Sequence, residues 1–274
     1  MSIRASLIVT TYEMPEHLKL VCANLKRQST HDFEVIFCDD GSGPQTAEVI
    51  EQFAQSTPIP VQSVWQEHQG FRKCKILNQA LLRAQGDVLI FLDGDCVPHW
   101  RYVEDHLAQQ QEGFYLAGRR VELGPKLSEK ISPSWVESGY FDWPHPSLIW
   151  SAMRGDSEFV NRSVRVSSPT LRSWLKMDRV VDLKGCNYSV PRKVMEALNG
   201  FDETYEGYGR EDTDVEIRLQ NYGLKIKSMK GLALQFHVWH PRREFTPANE
   251  DLLAEVKKTG RVKAIWGLSG FSSP

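Results

Sequence analysis

The chain has 274 residues, with 33 lysines and arginines against 35 aspartates and glutamates, a formal charge of −2 that gives no reason to expect nucleic acid as a partner. Hydrophobic residues at 41% and charged residues at 25% exclude collagen-like, fibrous and wholly disordered chains, and the length fits one large domain or one domain with a small appendage. The longest strongly apolar run, residues 88–92, is far short of the ~20 residues a membrane helix needs. The first ten residues read as a strand rather than a signal peptide, and the five cysteines form no CxxC pair, which points to a reduced, cytosolic compartment without disulfides or a structural zinc site.

In chain order, residues 5–10 are a β-rich run, and Leu18, Val21, Cys22 and Leu25 then repeat at helical spacing. Residues 33–38 are apolar with little alternation, as in a strand buried on both faces, and Asp39-Asp40-Gly41-Ser42 stops them. A helix over 45–55, a strand over 61–65, a helix over 73–84 and a strand over 88–92 follow. Strands alternating with helices predict an open, mostly parallel α/β sheet with helices on both faces, whose ligands gather beyond the C-terminal ends of the strands. Residues 10–13, 39–43, 67–71 and 93–95 all lie at such ends. Residues 124–180 hold four tryptophans, five prolines and no sustained period, and read as an inserted lid. A strand over 185–190, a helix over 192–199, an acid-led helix over 211–221 and a strand region over 232–238 complete the domain, with 241–274 as a tail.

Asp93-Gly94-Asp95 follows an apolar strand, so two carboxylates stand on a rigid stem and repel each other unless a cation joins them. A hard ion such as Mn²⁺ or Mg²⁺ takes such oxygen ligands together with substrate phosphates. Asp39 or Asp40 can accept hydrogen bonds from a base or a ribose. The residues 68–75 put Arg72, Lys73 and Lys75 at the start of a helix, against the macrodipole, where a diphosphate would relieve the cost. Glu211, Asp212 and Asp214 open the later helix; acidity suits any helix start, and one carboxylate there can serve as a general base. His237 and His240 near a strand end can each ligate a metal.

Taken together, the motifs resemble those of glycosyltransferase family 2, with the GT-A fold. The resemblance rests on Leu-Ile-Val-Thr-Thr-Tyr-Glu at 7–13, Cys-Asp-Asp-Gly-Ser at 38–42, Gly-Asp-Val-Leu-Ile-Phe-Leu-Asp-Gly-Asp at 86–95, Gly-Cys-Asn-Tyr-Ser at 185–189, Asn-Gly-Phe-Asp-Glu at 199–203 and Gly-Arg-Glu-Asp-Thr-Asp-Val-Glu-Ile-Arg-Leu at 209–219. The later half is similar to the galactosyltransferase and chondroitin polymerase type. The resemblance implies a Rossmann-like open sheet within a single GT-A domain over 1–240: a nucleotide-sugar half at 1–124, an acceptor lid at 125–182, and an acceptor and catalytic-base half at 183–240. It implies a donor site formed by Thr10, Tyr12, Glu13, Asp39, Asp40, Arg72, Lys75, Asn78, Asp93 and Gly94. Asp95, Asp93 and His237, or else His240, would hold Mn²⁺ or Mg²⁺, with Asp212 as base and Glu211 as the orienting or acceptor-binding carboxylate.

The activity so implied is inverting, metal-dependent transfer of a hexose from a UDP-sugar to a hydroxyl of a glycan or lipid-linked saccharide, in polysaccharide or surface glycan synthesis. Thr-Tyr-Glu at 11–13 replaces the family's usual Pro or Thr then Asn. A sugar-phosphate nucleotidyltransferase would need a Gly-rich basic loop after the first strand, where this chain has neither glycine nor a cation; a non-catalytic sugar-nucleotide or glycan-binding module would have lost carboxylates that are all present. Residues 256–271 mix cations with Ile265, Trp266, Leu268 and Phe271, a combination compatible with peripheral contact at the inner face of a membrane, whereas Gly260, Gly267 and Gly270 favour packing against the domain.

Overall fold

The computed structural model describes residues 3–179, 182–241 and 244–271. Seven strands form its main sheet: β1 (Ala5–Thr11), β2 (Phe33–Asp39), β3 (Val61–Trp65), β4 (Val88–Asp93), β6 (Phe114–Ala117), β8 (Asn187–Pro191) and β9 (Lys225–Ser228), in the spatial order β3-β2-β1-β4-β8-β6-β9. Only β8 runs against the rest, because it is antiparallel to both β4 and β6 while β9 is parallel to β6. The register sets Thr10 beside both Cys38 and Asp93, and Thr11 beside Asp39, so the polar ends of three strands reach one rim.

The non-alternating strands are explained by cover on both faces. Leu7, Val9, Val35, Phe37, Ile90 and Leu92 pack toward helices α1 (Pro15–Leu25), α2 (Pro44–Ser56) and α4 (Tyr102–Gln109), while Ile8, Ile36, Cys38, Leu89 and Phe91 pack toward α3 (Lys73–Leu81), α9 (Arg192–Ala197) and α10 (Glu211–Asn221). Proline at the first turn starts α1 and α2, where its missing N–H costs nothing. Helix α10 is pinned from within. The fully buried Arg218 guanidinium meets Asp214 at 2.7 Å and donates to the carbonyls of Leu198 and Gly200 at 3.1 and 2.9 Å, so the helix that carries Asp212 cannot rotate without leaving buried charge uncompensated.

A second, three-stranded sheet, β5 (Cys96–Pro98), β10 (Gln235–His237) and β7 (Val121–Glu122), stands above the rim in the order β5-β10-β7. Its register places His237 opposite both Cys96 and Glu122. Residues 125–182 add four short helices, α5 (Pro125–Ser128), α6 (Pro133–Glu137), α7 (Pro146–Met153) and α8 (Pro169–Trp174), and a 3-10 turn at Val160–Ser163. This segment buries Leu127, Ile131, Val136, Phe141 and Leu148 in the core, but Trp135, Trp143, Trp150 and Trp174 are exposed. Burial, the commoner fate of tryptophan, is therefore not theirs. Helix α11 (Ala248–Thr259) packs on α10, and the tail beyond it is held by backbone bonds from Ala264 to Leu198 and from Leu268 to Asn199.

Several boundaries differ from the sequence expectation. The helix expected over 73–84 ends at Leu81, and the strand region over 232–238 narrows to Gln235–His237. β6, β9 and α4 carry no signal that the sequence reading used.

His106 on α4 is fully buried, with Nδ1 2.9 Å from Ser189 Oγ and Nε2 3.2 Å from Asn187 Oδ1. Burial lowers its pKa from the ordinary 6.5 to about 4. The unfolded chain therefore takes up this proton more readily than the folded one, and stability should fall by about 3 kcal/mol as pH drops from 6.5 toward 4. Urea unfolding across that range should show a slope that His106→Gln flattens.

Candidate active site

A crevice of about 670 Å³ opens at the rim between the two sheets, lined among others by Thr10, Tyr12, Asp40, Lys73, Asp93, Gly94, Asp95, Glu122, Phe159, Tyr208, His237, Trp239 and His240. Thr10 Oγ1 donates to Asp93 Oδ1 at 2.7 Å. Gly94 sits where a β-carbon would come within 2.9 Å of the Thr10 carbonyl, so the Asp93-Gly94-Asp95 turn needs a residue without a side chain at its centre. Tyr12 stacks on His68 with ring centroids 4.3 Å apart.

Lys73 organises the floor. Its ammonium meets Asp93 Oδ1 at 2.8 Å. Burial alone would lower its pKa, but the carboxylates of Asp93, Glu211 and Asp212 outweigh burial and hold it above the ordinary lysine range. Glu211 and Asp212 border a small recess shared with Thr10, Lys73 and Asp93. Glu211 accepts from the Gly209 N–H at 3.1 Å, and burial raises its pKa against the pull of Lys73. Asp212 accepts from the N–H groups of Gly185 at 3.1 Å and Thr213 at 2.7 Å and remains partly exposed. Arg210, with φ of 77°, turns the chain sharply into this helix.

Above the floor, Asp95, His237 and His240 converge. His240 Nε2 lies 3.1 Å from Asp95 Oδ2, His237 Nε2 lies 3.7 Å from Asp95 Oδ1, and the two Nε2 atoms are 3.1 Å apart. His237 Nδ1 faces Glu122 Oε2 at 2.6 Å and His240 Nδ1 faces the Pro241 carbonyl at 2.8 Å. Both partners only accept, so both Nδ1 atoms must carry their protons, and the Nε2 lone pairs are left pointing into one small space beside a carboxylate. One proton or one cation has to sit among them. This donor set, with Glu122 behind His237, fits a divalent metal ion. Against the effect of its burial, the two histidines hold the Asp95 carboxyl far below the usual carboxylate range, and His237 and Arg120 bring Glu122, against its own burial, to about 2.

Asn78, Arg72, Lys75, Asp39 and Glu13, expected at the donor, do not line the crevice. Asn78 is fully buried, its amide nitrogen donating to the Phe201 carbonyl at 2.9 Å and to Glu203 at 2.8 Å, which makes it a tie between α3 and the 199–203 turn. The Arg72 side chain is taken up by Gln69 Oε1 and the Glu67 carbonyl, and neither Arg72 nor Lys75 lines the crevice. Asp39 is buried and accepts from the Ser42 N–H at 2.8 Å, while Asp40 lines the crevice with its oxygens engaged by Gln66 and the Arg72 N–H. Glu13 is exposed at φ 51° and bonds to the Gly43 N–H at 2.9 Å. The sequence reading counted Lys73 among the cations a diphosphate would relieve without assigning it a contact of its own, and gave Glu122 no role. Lys73 shares a helix face with Ile76, Leu77 and Ala80, which are all buried, and that spacing would have found it.

With this geometry established, comparison with known proteins is decisive. The family model for "Glycosyl transferase family 2" matches residues 6–171. The chain belongs to this family. A second model, described as the N-terminal domain of galactosyltransferase, matches residues 156–241. The hyaluronan synthase of Pasteurella multocida is 26% identical over 87% of this chain and 25% of its own length. The curated relatives are longer, the chain spanning 25% to 65% of their lengths. Among solved structures, a mannosyltransferase of Pyrobaculum calidifontis in complex with GDP-Man and Mn²⁺ aligns with a TM-score of 0.60 at 14% identity, covering 95% of this chain and 70% of its own. S. aureus TarS 1-349 in complex with UDP aligns at 0.61 and 15% identity, covering 97% and 68%. The glycosyltransferase has the GT-A fold. No helix among its described residues is long and apolar enough to cross a membrane.

The role of Glu122 is testable through the metal. Glu122→Gln should weaken Mn²⁺ binding about 10–100-fold by releasing His237 from its orientation, read by calorimetric titration; affinity within a factor of two of wild type would show that Glu122 does not position this ligand.

Proposed function

We propose that this glycosyltransferase moves a hexose from a UDP-sugar to a hydroxyl of a saccharide or lipid-linked saccharide, with inversion at the anomeric carbon and with the help of Mn²⁺ or Mg²⁺. The observation that carries the reading is the convergence of Asp95, His237 and His240 in one crevice with Asp93, which also borders the small recess of Glu211 and Asp212. UDP as the nucleotide is supported by the fold shared with TarS bound to UDP, and a polysaccharide acceptor by the hyaluronan and chondroitin synthases among the relatives.

In this reading Tyr12, Asp40 and Thr10 border the nucleoside end of the crevice and Asp93 the ribose. Asp95, His237 and His240 would hold the divalent ion, which supplies positive charge for the departing diphosphate. Asp212, oriented by the Gly185 N–H, takes the proton from the acceptor hydroxyl as the hydroxyl oxygen attacks the anomeric carbon and the bond to the diphosphate breaks. Glu211, buried beside Lys73, fixes the position of the acceptor. Lys73 keeps three carboxylates close together by supplying the positive charge beside them. The segment 125–182 would cover the acceptor, and its exposed tryptophans are of the type that stacks on sugar rings.

The test is a panel of UDP- and GDP-sugars incubated with the protein and Mn²⁺, with release of the nucleotide diphosphate measured. One UDP-sugar should be consumed, EDTA should stop the reaction, and Asp95→Ala should abolish it. Asp212→Asn should lower kcat about 10²–10⁴-fold with little change in donor KM. Unchanged kcat in that variant would remove Asp212 from the role of base.

A further inference from the structure

Helix α8 buries none of its residues, unlike α5, α6 and α7. Leu171, Trp174 and Leu175 recur at three- and four-residue spacing and share one face, with Trp174 76% exposed and each leucine 43%. The helix cannot turn this face inward, because Arg172 ties it to the end of β9. The guanidinium donates from Nε to the Lys230 carbonyl at 3.1 Å and from Nη2 to the Ser228 carbonyl at 2.7 Å, and Ser228 Oγ donates to the Met177 carbonyl at 2.5 Å. No residue of α8 lines the crevice.

The surroundings of this face are basic. Residues 169–179 hold Arg172, Lys176 and Arg179 against Asp178 alone, and the edge strand β9 with the turn after it, residues 225–230, holds three lysines and no acid. Lys176 and Arg179 are exposed. Lys176 closes the helix in a left-handed conformation, φ 55°, with its N–H on the Ser173 carbonyl at 3.0 Å and the Met177 N–H on the Arg172 carbonyl at 2.8 Å. Glycine is the usual residue in that place, so a lysine stands beside Trp174 and Leu175 at some backbone cost.

Other exposed apolar groups lack this charge. Ile265 and Trp266 in the tail lie against acids, the Ile265 N–H donating to Asp202 Oδ2 at 2.9 Å and the Trp266 carbonyl accepting from the Glu203 N–H at 2.8 Å. Residues 146–154 expose Ile149, Trp150 and Met153 but hold one cation, Arg154, which is stacked on Trp150 at 4.6 Å. At α8 alone do two aliphatic side chains, a tryptophan and unmatched cations meet. Aliphatic groups gain from hydrocarbon, tryptophan from the headgroup boundary, and lysine and arginine from lipid phosphates. A hydrated glycan would suit the tryptophan but leave both leucines without a partner.

We propose that the Leu171–Trp174–Leu175 face of α8 docks on an anionic lipid surface, with Lys176 and Arg179 meeting the headgroup phosphates. Trp174 then belongs to the lipid contact and not to the cover of the acceptor. The docking is independent of which sugar the chain transfers.

The test uses the full chain and sedimentation with vesicles of phosphatidylcholine, alone or in equal parts with phosphatidylglycerol. The wild type should bind the mixed vesicles about tenfold or more tighter than the neutral ones, and added salt should remove the difference. Leu171→Ser combined with Trp174→Ser should weaken binding to the mixed vesicles about tenfold or more, and Lys176→Gln combined with Arg179→Gln should leave little preference for them. All four positions are exposed, so both variants should keep the fold, which circular dichroism checks. Trp174→Phe should bind as the wild type does while losing part of the fluorescence quenching by brominated lipid. The proposal is overturned if the wild type binds neither kind of vesicle or if either double variant binds the mixed vesicles as the wild type does. It is also overturned if binding is lost only in Ile265→Ser combined with Trp266→Ser, which would place the contact in the tail.

Discussion

One partly buried cation, Lys73, holds the site together. Asp93 belongs to the donor-side strand β4 and Glu211 and Asp212 to the later helix α10, and no stretch of backbone would keep three carboxylates at such distances unaided. The Lys73 ammonium lies among them, 2.8 Å from Asp93. Its stem enters from the first turn of α3, so the cost of a positive charge at a helix N-terminus is offset by carboxylates that need it. Behind it, Arg218 and Asp214 fix the rotation of α10. The two charge centres act at successive depths, Arg218 setting the helix and Lys73 setting what the helix presents.

The cluster of Asp95, His237 and His240 depends on a different device, strand register. Asp95 lies just before β5, His237 ends β10 and Glu122 ends β7; the pairings His237 with Cys96 and His237 with Glu122 bring the two carboxylates to either side of the imidazole. His240 completes the set because the chain turns back after Val238, whose N–H donates to the Asp95 carbonyl at 2.8 Å. The sequence separation between Asp95 and His237 is thereby cancelled by three short strands.

These two devices explain what could be read from the sequence. The strands β1, β2 and β4 were legible because both faces are buried and their apolar runs end abruptly in acids, and α10 because its acidic start and Gly223 stop are local signals. Asp93, Asp95 and Asp212 follow from those placements. β6 and β9 are four residues each and have no such punctuation, being defined by their pairing with distant partners. Among Arg72, Lys73 and Lys75, the basic run said that charge gathers at α3 but not which side chain turns inward; the helical face shared with Ile76, Leu77 and Ala80 decides it, and the same logic buries Asn78 with Cys74 and Leu81. Register and turn bring both His237 and His240 to Asp95, which spacing along the chain alone does not reveal.

The electrostatic condition of the crevice differs from end to end, and the difference has a chemical consequence. On the donor side Asp93 is already compensated by Lys73, while Asp95 faces two imidazoles whose Nε2 lone pairs have no fixed proton between them. That end is short of positive charge and gains from a divalent ion, which in turn favours a diphosphate over any neutral ligand. In the neighbouring recess Asp212 stays partly exposed, and its two backbone bonds orient it. Arg120, on the same crevice wall as His237, is matched by Glu122 and leaves no surplus of positive charge there. An anionic ligand can therefore approach the Asp95 end only together with a cation, because the carboxylate there would otherwise repel it.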